Sequence, residues 1–261
     1  FNVDENNYKI DGYYDVNDTQ LNAKLNSYNF SLSGLEKIIP ELKRYSLKGK
    51  GDINLNLSGN INDPVISLGF YLPEGSIDGQ KIKNFNTELR YRNGLFYVDY
   101  FDIRINEDSN LMIDGIYNQR LEEYNFAIRA KEISVDLINK YYENNTLDKV
   151  NANFDFDLNL SGKGFGKDDF NLIGDIEMNS TSLGNVYTEI WTGEERVVLD
   201  EGYWKVNSTN INFSGQLDLN KRVVDLDMDG TSLPTTDLRE KIELITENKL
   251  PDIKGKMSFE G

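Results

Sequence analysis

The stretch KGKGDINLNLSG, residues 48 to 59, sets the pattern of the whole chain. Its apolar residues Ile53, Leu55 and Leu57 alternate with polar residues. Because successive side chains of a strand point to opposite faces, this alternation predicts a β-strand with one apolar face and one solvated face. The strand is expected to end at the glycine that closes the stretch.

Related stretches recur along the 261 residues, so the chain is predicted to be a repeat. NANFDFDLNLSG stands at 151 to 162 and IKGKMSFEG at 253 to 261. The motif Ile-Asp-Gly at 10 to 12 returns at 113 to 115, an offset of 113 − 10 = 103 residues. We expect one continuous fragment of a longer repeat protein. Its predicted copies cover about 8–110, 111–210 and, in part, 211–261.

Most of each copy reads as short antiparallel strands joined by turns. Asn-Gly at 93 and 94 is the strongest hairpin signal, and the segments 60 to 65 and 73 to 79 are predicted as turns. Each copy also holds one short amphipathic helix with a capping residue at its start. The three helices are predicted at 33–44, at 136–144 with Asp136 as the cap, and at 237–248.

The composition excludes several classes of catalytic, metal-binding and nucleic-acid-binding site. Lys and Arg number 28 against 44 Asp and Glu, which gives a net charge of −16. An acidic chain without basic clusters should repel nucleic acid, so no nucleic-acid partner is expected. The chain has no Cys and no His, which excludes thiol nucleophiles, the usual serine triads, and metal sites built on His or Cys. We expect no enzyme, no metal and no cofactor.

Two sets of residues resemble functional sites in sequence but are better interpreted as parts of strands. VDLDMDG at 224 to 230 matches the first half of an EF-hand loop, but Thr236 stands where the bidentate Glu is needed, and the alternating Leu and Met indicate a strand. Trp191, Trp204 and Tyr203 fit strand faces, and packing is a better interpretation for them than a carbohydrate platform.

The predicted strands together present a long apolar surface that three short helices cannot cover. The sheet must either fold on itself or leave a trough for an apolar ligand. The expected fold is therefore all-β: an elongated, repetitive, mostly antiparallel curled sheet with an apolar inner face. The residues expected to line its groove are Ile53, Leu55, Leu57, Ile66, Leu68, Phe70, Leu89, Ile103, Ile113, Phe126, Ile128, Phe154, Phe156, Leu158, Leu160, Leu172, Ile176, Phe213, Leu226 and Met228.

An ordered set of motifs resembles the AsmA-like superfamily, and within it the TamB family of inner-membrane subunits of the translocation and assembly module. Strands end in Leu-Ser-Gly at 57 to 59 and 160 to 162, a turn carries Asp-Pro-Val at 63 to 65, and a helix opening with Asp-Leu recurs. The resemblance implies a sheet curled like a taco (a β-taco groove) that spans the periplasm of a Gram-negative-type bacterium, in a parent chain anchored in the inner membrane.

The same resemblance implies a function in lipid transport. Such bridge-like proteins shield phospholipid acyl chains between the inner and outer membranes, or assist outer-membrane protein assembly with an Omp85-type barrel partner. Membrane contact is expected through other parts of the parent chain. The alternative is a structural β-rich surface protein or adhesin stalk, which predicts a filled core.

Overall fold

The computed structural model describes residues 2–3, 6–34, 44–141, 151–164, 170–193, 195–207, 209–218, 223–234 and 256–259. In this part of the chain the fold is all-β and the paired strands are antiparallel, which confirms the predicted class. The chain forms two compact units, Phe1–Ile128 and Arg129–Gly261. The boundaries predicted for the repeat copies remain a prediction.

The first unit is an antiparallel sheet whose strands mostly pair with their neighbours in sequence. Its strands are β1 (Asn2–Val3), β2 (Asn6–Asp15), β3 (Gln20–Ser31), β4 (Leu47–Asn60), β5 (Asp63–Leu72), β6 (Gly75–Ile77), β7 (Gln80–Ile82), β8 (Asn84–Arg92), β9 (Leu95–Arg104) and β10 (Asn110–Asn118). The pairing runs from β1 through β5 in order, and then from β5 to β8, β9 and β10.

Two of the turns predicted in this unit, at 60 to 65 and at 73 to 79, are wrong in part. The segment 73 to 79 contains β6, which pairs with the start of β4 and with β7 as a small side sheet. A Cβ at Gly75 would lie 2.5 Å from the carbonyl oxygen of Lys48, so only glycine permits this close pairing. The segment 60 to 65 is a two-residue turn between β4 and β5, and Pro64 is accommodated as the second residue of its strand.

The chain passes into the second unit within β11 (Glu123–Ser134). That unit continues with one helix, α1 (Val135–Tyr141), and the strands β12 (Ala152–Lys163), β13 (Phe170–Ser180), β14 (Gly184–Gly193), β15 (Arg196–Val206), β16 (Thr209–Asp218), β17 (Val223–Pro234) and β18 (Lys256–Phe259). From β12 to β18 each strand pairs with the next one.

Of the three predicted helices, the structure describes the second. Its cap differs from the prediction: the Ser134 hydroxyl accepts the Leu137 N–H at 3.3 Å, and Asp136 lies inside the first turn. The start of the first predicted helix lies in a 3-10 turn, Leu32–Gly34, and its residues 35–43 lie outside the described residues. The third predicted helix also lies outside them.

Strand boundaries recur at the spacing of the sequence motifs. β3, β11 and β17 are each twelve residues long and begin at residues 20, 123 and 223, at offsets of 123 − 20 = 103 and 223 − 123 = 100. Helical structure follows β3 and β11 directly. The same sequence spacing therefore produces the same local structure in both units.

The few fully buried apolar side chains lie near strand ends. In the second unit Val135, Ala152 and Leu183 form one cluster, and Val206 and Ile211 form another. In the first unit the corresponding buried residues include Phe30, Leu32, Leu72 and Ile82. The middle of each sheet therefore contributes little to a closed core.

Candidate functional site

The apolar side chains of the first unit line up across its sheet because the register places them opposite one another. In one row Leu25 faces Leu55, Leu55 faces Leu68, Leu68 faces Leu89, and Leu89 faces Val98. Opposed Cβ atoms in antiparallel strands are about 4.5–5.5 Å apart, so such a row is a continuous apolar contact. The adjacent rows on the same side are Ser27, Ile53, Phe70, Thr87, Phe101, Ile113, and Ala23, Leu57, Ile66, Tyr91, Phe96, Tyr117.

We call this side the apolar face of the first unit, and the register brings the predicted lining residues together on it. Ile103 lies one row further along, between Phe85 and Leu111. A Cβ on Gly115 would touch the Phe126 ring, so Phe126 shares the face, and Ile128 follows by alternation. The predicted residues on this face are Ile53, Leu55, Leu57, Ile66, Leu68, Phe70, Leu89, Ile103, Ile113, Phe126 and Ile128.

Sequence reasoning missed part of this face because a β-bulge changes the alternation within β9. Tyr100 faces Glu88 and Val98 faces Leu89, which leaves Asp99 as an extra residue. Val98 and Phe101 are three positions apart, and regular alternation would place them on opposite sides of the sheet. The bulge places them on the same side. The Thr87 hydroxyl donates to the Tyr100 carbonyl at 2.9 Å and stabilises this geometry. The second unit has an equivalent contact, in which the Thr188 hydroxyl lies 3.3 Å from the Asp200 carbonyl oxygen.

The second unit has an apolar face of the same kind. Phe154 faces Met178, Met178 faces Val186, Val186 faces Trp204, and Trp204 faces Ile211. The other residues predicted to line the groove in this unit lie in the adjoining rows of this face. Those rows contain the pairs Phe156–Ile176, Leu158–Gly174, Leu160–Leu172, Phe213–Met228 and Gly215–Leu226.

Side chains in the middle of both faces are only partly covered. Leu55, Leu68 and Phe154 are half-buried. Towards the edges of the described strands, Ile10 of β2 and Leu226 of β17 keep 51% and 44% of their surface exposed. Fully burying a Leu, Ile or Phe side chain is worth about 1.5–3 kcal/mol relative to exposure. Only the part of that stabilisation that corresponds to the surface still exposed is available to a ligand that covers these rows.

Glycine recurs on the apolar faces where two strands approach most closely. Gly12, Gly115 and Gly215 occupy the same repeat position, and each faces an apolar residue of the next strand. A Cβ at Gly12 would lie 2.5 Å from the Asn22 carbonyl oxygen and 2.9 Å from the Ala23 Cα. Real Cβ contacts are longer, so alanine would force the strands apart. Glycines of this kind let a sheet bend.

The opposite side of the second unit is strongly acidic. Asp157 faces Asp175, Asp175 faces Glu189, and Glu189 faces Asp200. Like charges opposed across strands repel each other. Partial burial and the neighbouring Asp157 carboxylate raise the pKa of Asp175 above its ordinary value. On the same side Tyr187 stacks on Tyr203 with ring centroids 5.4 Å apart, and burial with nearby carboxylates raises the pKa of Tyr187.

An open cavity of about 670 Å³ lies at β15, β16 and β17. Its lining includes Asp200, Glu201 and Asp227 from the acidic side, and also Phe213 and Met228. In the described residues no group of three or more His, Cys, Asp or Glu side chains is arranged to hold a metal ion.

The described part of the chain contains no helix long and apolar enough to cross a membrane. Comparisons of the chain with protein-family models, with curated proteins and with solved structures found no match in any of the three.

Proposed function

We propose that this chain is a periplasmic segment of a TamB-like or AsmA-like bridge protein that shields phospholipid acyl chains. In this proposal the acyl chains lie along the apolar faces and the head groups remain in water. The segment would serve phospholipid transport between the inner and outer membranes, outer-membrane protein assembly, or both. The observation that carries the proposal is the register, which joins apolar residues of successive strands into rows on one side of each unit.

The energetics of this arrangement suit transfer along a surface. An acyl chain loses about 0.8 kcal/mol for each CH₂ group that leaves an apolar environment. Rows of Leu, Ile and Phe can offset that loss at each step along the sheet. Because the rows are similar from strand to strand, no single position would trap the lipid in a deep minimum. Movement of this kind requires no catalytic group.

The repeated glycines support a groove rather than a flat surface. Gly12, Gly115 and Gly215 all lie on the apolar side, where a missing Cβ lets the strands bend toward that side. In the proposal each unit curls around its apolar face, which makes that face the inner one. The solvated side, with its acidic rows, would then be the outer surface.

The alternative of a structural stalk requires the apolar side chains to fill a core. Partly covered residues such as Leu55 and Phe154, and exposed residues such as Leu226, favour a surface that receives a ligand. The periplasmic location, the inner-membrane anchor of the parent and the Omp85-type barrel partner belong to the proposal through the sequence resemblance.

Native mass spectrometry of the purified chain, with extraction of bound lipid, tests the proposal. We expect co-purifying phospholipid, and we expect the variant L55D/L57D/F154D/F156D to lose it while circular dichroism shows a retained β-sheet. The control variant N22D/S67D adds charge to the solvated side of the first unit and should keep its lipid. A folded wild-type chain that carries no lipid and takes none up from vesicles would contradict the proposal.

A further inference from the structure

The solvated side of the first unit has an open depression of about 300 Å³, which we call the Gly69 depression. Gly69 of β5 belongs to its lining and faces Asn54 of β4 on one side and Glu88 of β8 on the other. Apart from its chain neighbours, no described residue has an atom within 4 Å of the position that a Cβ of Gly69 would take. The glycine therefore leaves a gap in the layer of polar side chains. Ile53 and Phe70, whose side chains lie on the apolar face, also belong to the lining.

Three tyrosines line the depression and keep much of their surface exposed. Tyr28 of β3, Tyr71 of β5 and Tyr100 of β9 are 68%, 44% and 39% exposed. Each lies two strands from the next, because the pairing runs from β3 through β4 to β5 and then through β8 to β9. Neighbouring strands are about 4.8 Å apart, so the backbones of successive tyrosines are about 10 Å apart across the sheet. A cation contacts a ring within about 6 Å, so this row suits an extended ligand better than one small cation.

Amide side chains lie between the tyrosines. Asn54 donates a hydrogen bond to the side chain of Asn26 and accepts one from Asn56 at 2.7 Å. These bonds fix the two lining amides and leave further donor and acceptor capacity on each of them. Asn86 faces Tyr71, and its amide makes no hydrogen bond within the described part of the chain. The depression therefore offers positioned amides that can both donate to and accept from a ligand.

The charges around the depression nearly balance. The charged residues on the same side of the sheet that belong to the lining, or lie two positions along a strand from it, are three carboxylates and two lysines: Asp52, Glu88, Asp102, Lys24 and Lys50. Asp52 accepts the Asn29 N–H at 3.0 Å, and Arg90 of β8 is paired with Asp99. Charges of both signs at this density give little net attraction for a strongly charged ligand. A neutral polar ligand is therefore favoured.

The second unit shows that the sheet itself does not require these residues. The register that pairs β4 with β5 recurs between β12 and β13. It places Asp175 at the position of Gly69 and Glu177 at the position of Tyr71. The repeat therefore accepts carboxylates where the first unit has a gap and an aromatic ring, so the fold alone does not explain the glycine and the tyrosine.

We propose that the Gly69 depression binds a neutral oligosaccharide. Sugar rings pack their C–H groups against the electron-rich faces of aromatic rings, and their hydroxyl groups exchange hydrogen bonds with amides. The three tyrosines and the amides between them supply both kinds of contact across five strands, which suits an extended chain of sugar rings. The depression lies on the side of the sheet opposite the apolar face. This site is therefore separate from the acyl-chain surface, and its ligand goes beyond the function proposed above.

Isothermal titration calorimetry with three neutral hexasaccharides, cellohexaose, maltohexaose and chitohexaose, tests this site. The wild-type chain should bind at least one of them. Gly69→Val fills the gap and Tyr71→Ala removes the middle ring, so each should weaken that binding about tenfold or more. Gly69→Val should fold as the wild type does by circular dichroism, because the space is open and the second unit has a side chain there. The matched control is Tyr13→Ala, since Tyr13 is 64% exposed on the same side but outside the depression, and it should keep wild-type affinity.

Three results would overturn the proposal. One is a folded wild-type chain that binds none of the three hexasaccharides. Another is equal affinity of the wild type, Gly69→Val and Tyr71→Ala for the hexasaccharide that binds. The third is tighter binding of choline chloride or of a galacturonic acid hexamer than of any neutral hexasaccharide, which would indicate a site for a charged ligand. Gly69→Val should still carry phospholipid, and L55D/L57D/F154D/F156D should still bind the hexasaccharide, so the two proposals can fail separately.

Discussion

The backbone N–H of Asn29 donates a hydrogen bond to Oδ1 of Asp52 at 3.0 Å, and this contact stabilises a break in the pairing of β3 with β4. Asn29 has a φ of 55°, in the left-handed region that places an extra residue in its strand. The same contact joins the Glu132 N–H to Asp155 at 2.5 Å, and Glu132 has a φ of 51°. The two copies therefore share their residue spacing and their strand boundaries. They also share an Asp side chain that accepts a hydrogen bond from the residue with positive φ.

Replacing Asp52 with Ala should lower the free energy of unfolding by about 1–3 kcal/mol, since a hydrogen bond to a charged acceptor is lost. D155A should have a similar effect on the second unit. Urea denaturation would measure both. The control is D18A in an exposed turn, which should change stability by less than about 0.5 kcal/mol. Equal midpoints for D52A and D18A would show that the bulge needs no carboxylate.

The conserved glycine position offers a second test. Gly115→Ala places a Cβ against the backbone of Asn125 and the Phe126 ring, so we expect a destabilisation of about 1–3 kcal/mol from the overpacked contact. Gly69→Ala is the matched control, because nothing lies within 4 Å of a Cβ there. That variant should be neutral or gain up to about 1 kcal/mol by restricting the unfolded chain. If denaturation gave the two variants the same stability, close strand approach would not explain the glycine.

The sequence predicts the local pattern well and the long-range pattern only in part. Alternation in β4 and β12 is enough to place Leu55 and Phe156 in strands, because the period of two is a local property. The bulge at Asp99 and the pairing of Lys48 with Ser76 are set by partners distant in sequence, and they leave no local signal. The sequence predicts Asp136 as the helix cap, whereas the structure has Ser134 in that position. Both residue types are good N-caps, and only the backbone geometry distinguishes them.

The acidic row of the second unit should make stability depend on pH. The folded-state pKa of Asp175 is raised, by burial first and then by Asp157, above its ordinary value of 3.8. Between those two pKa values the native state binds more protons than the unfolded state, so this group's contribution to stability falls as the pH rises through the window. D175N should therefore raise the unfolding midpoint at neutral pH and flatten its decline above pH 3.8.

Thermal unfolding of D175N and of D225N across that pH range would check the direction. Asp225 lies on the same side but is opposed by Gln216, so its replacement should matter less. A D175N midpoint below that of the wild type at neutral pH would contradict the assigned repulsion.

The chain has two tryptophans, and they report on opposite sides of the same unit. Trp204 lies on the apolar face between Val186 and Ile211, with its indole N–H donated to the Leu183 carbonyl at 2.7 Å. Trp191 faces Ile173 on the acidic side and keeps 43% of its surface exposed. Each single-tryptophan variant therefore carries a probe for one face.

Phospholipid with brominated acyl chains, added to the lipid-free chain, should quench the fluorescence of W191F, in which Trp204 remains. The same lipid should leave the fluorescence of W204F nearly unchanged, because heavy-atom quenching requires contact with the bromine. A soluble quencher such as acrylamide should show the reverse order, since Trp191 is the more exposed residue of the two. Equal quenching of both variants by brominated lipid would place the acyl chains on neither face specifically and would remove the basis for an apolar transport surface.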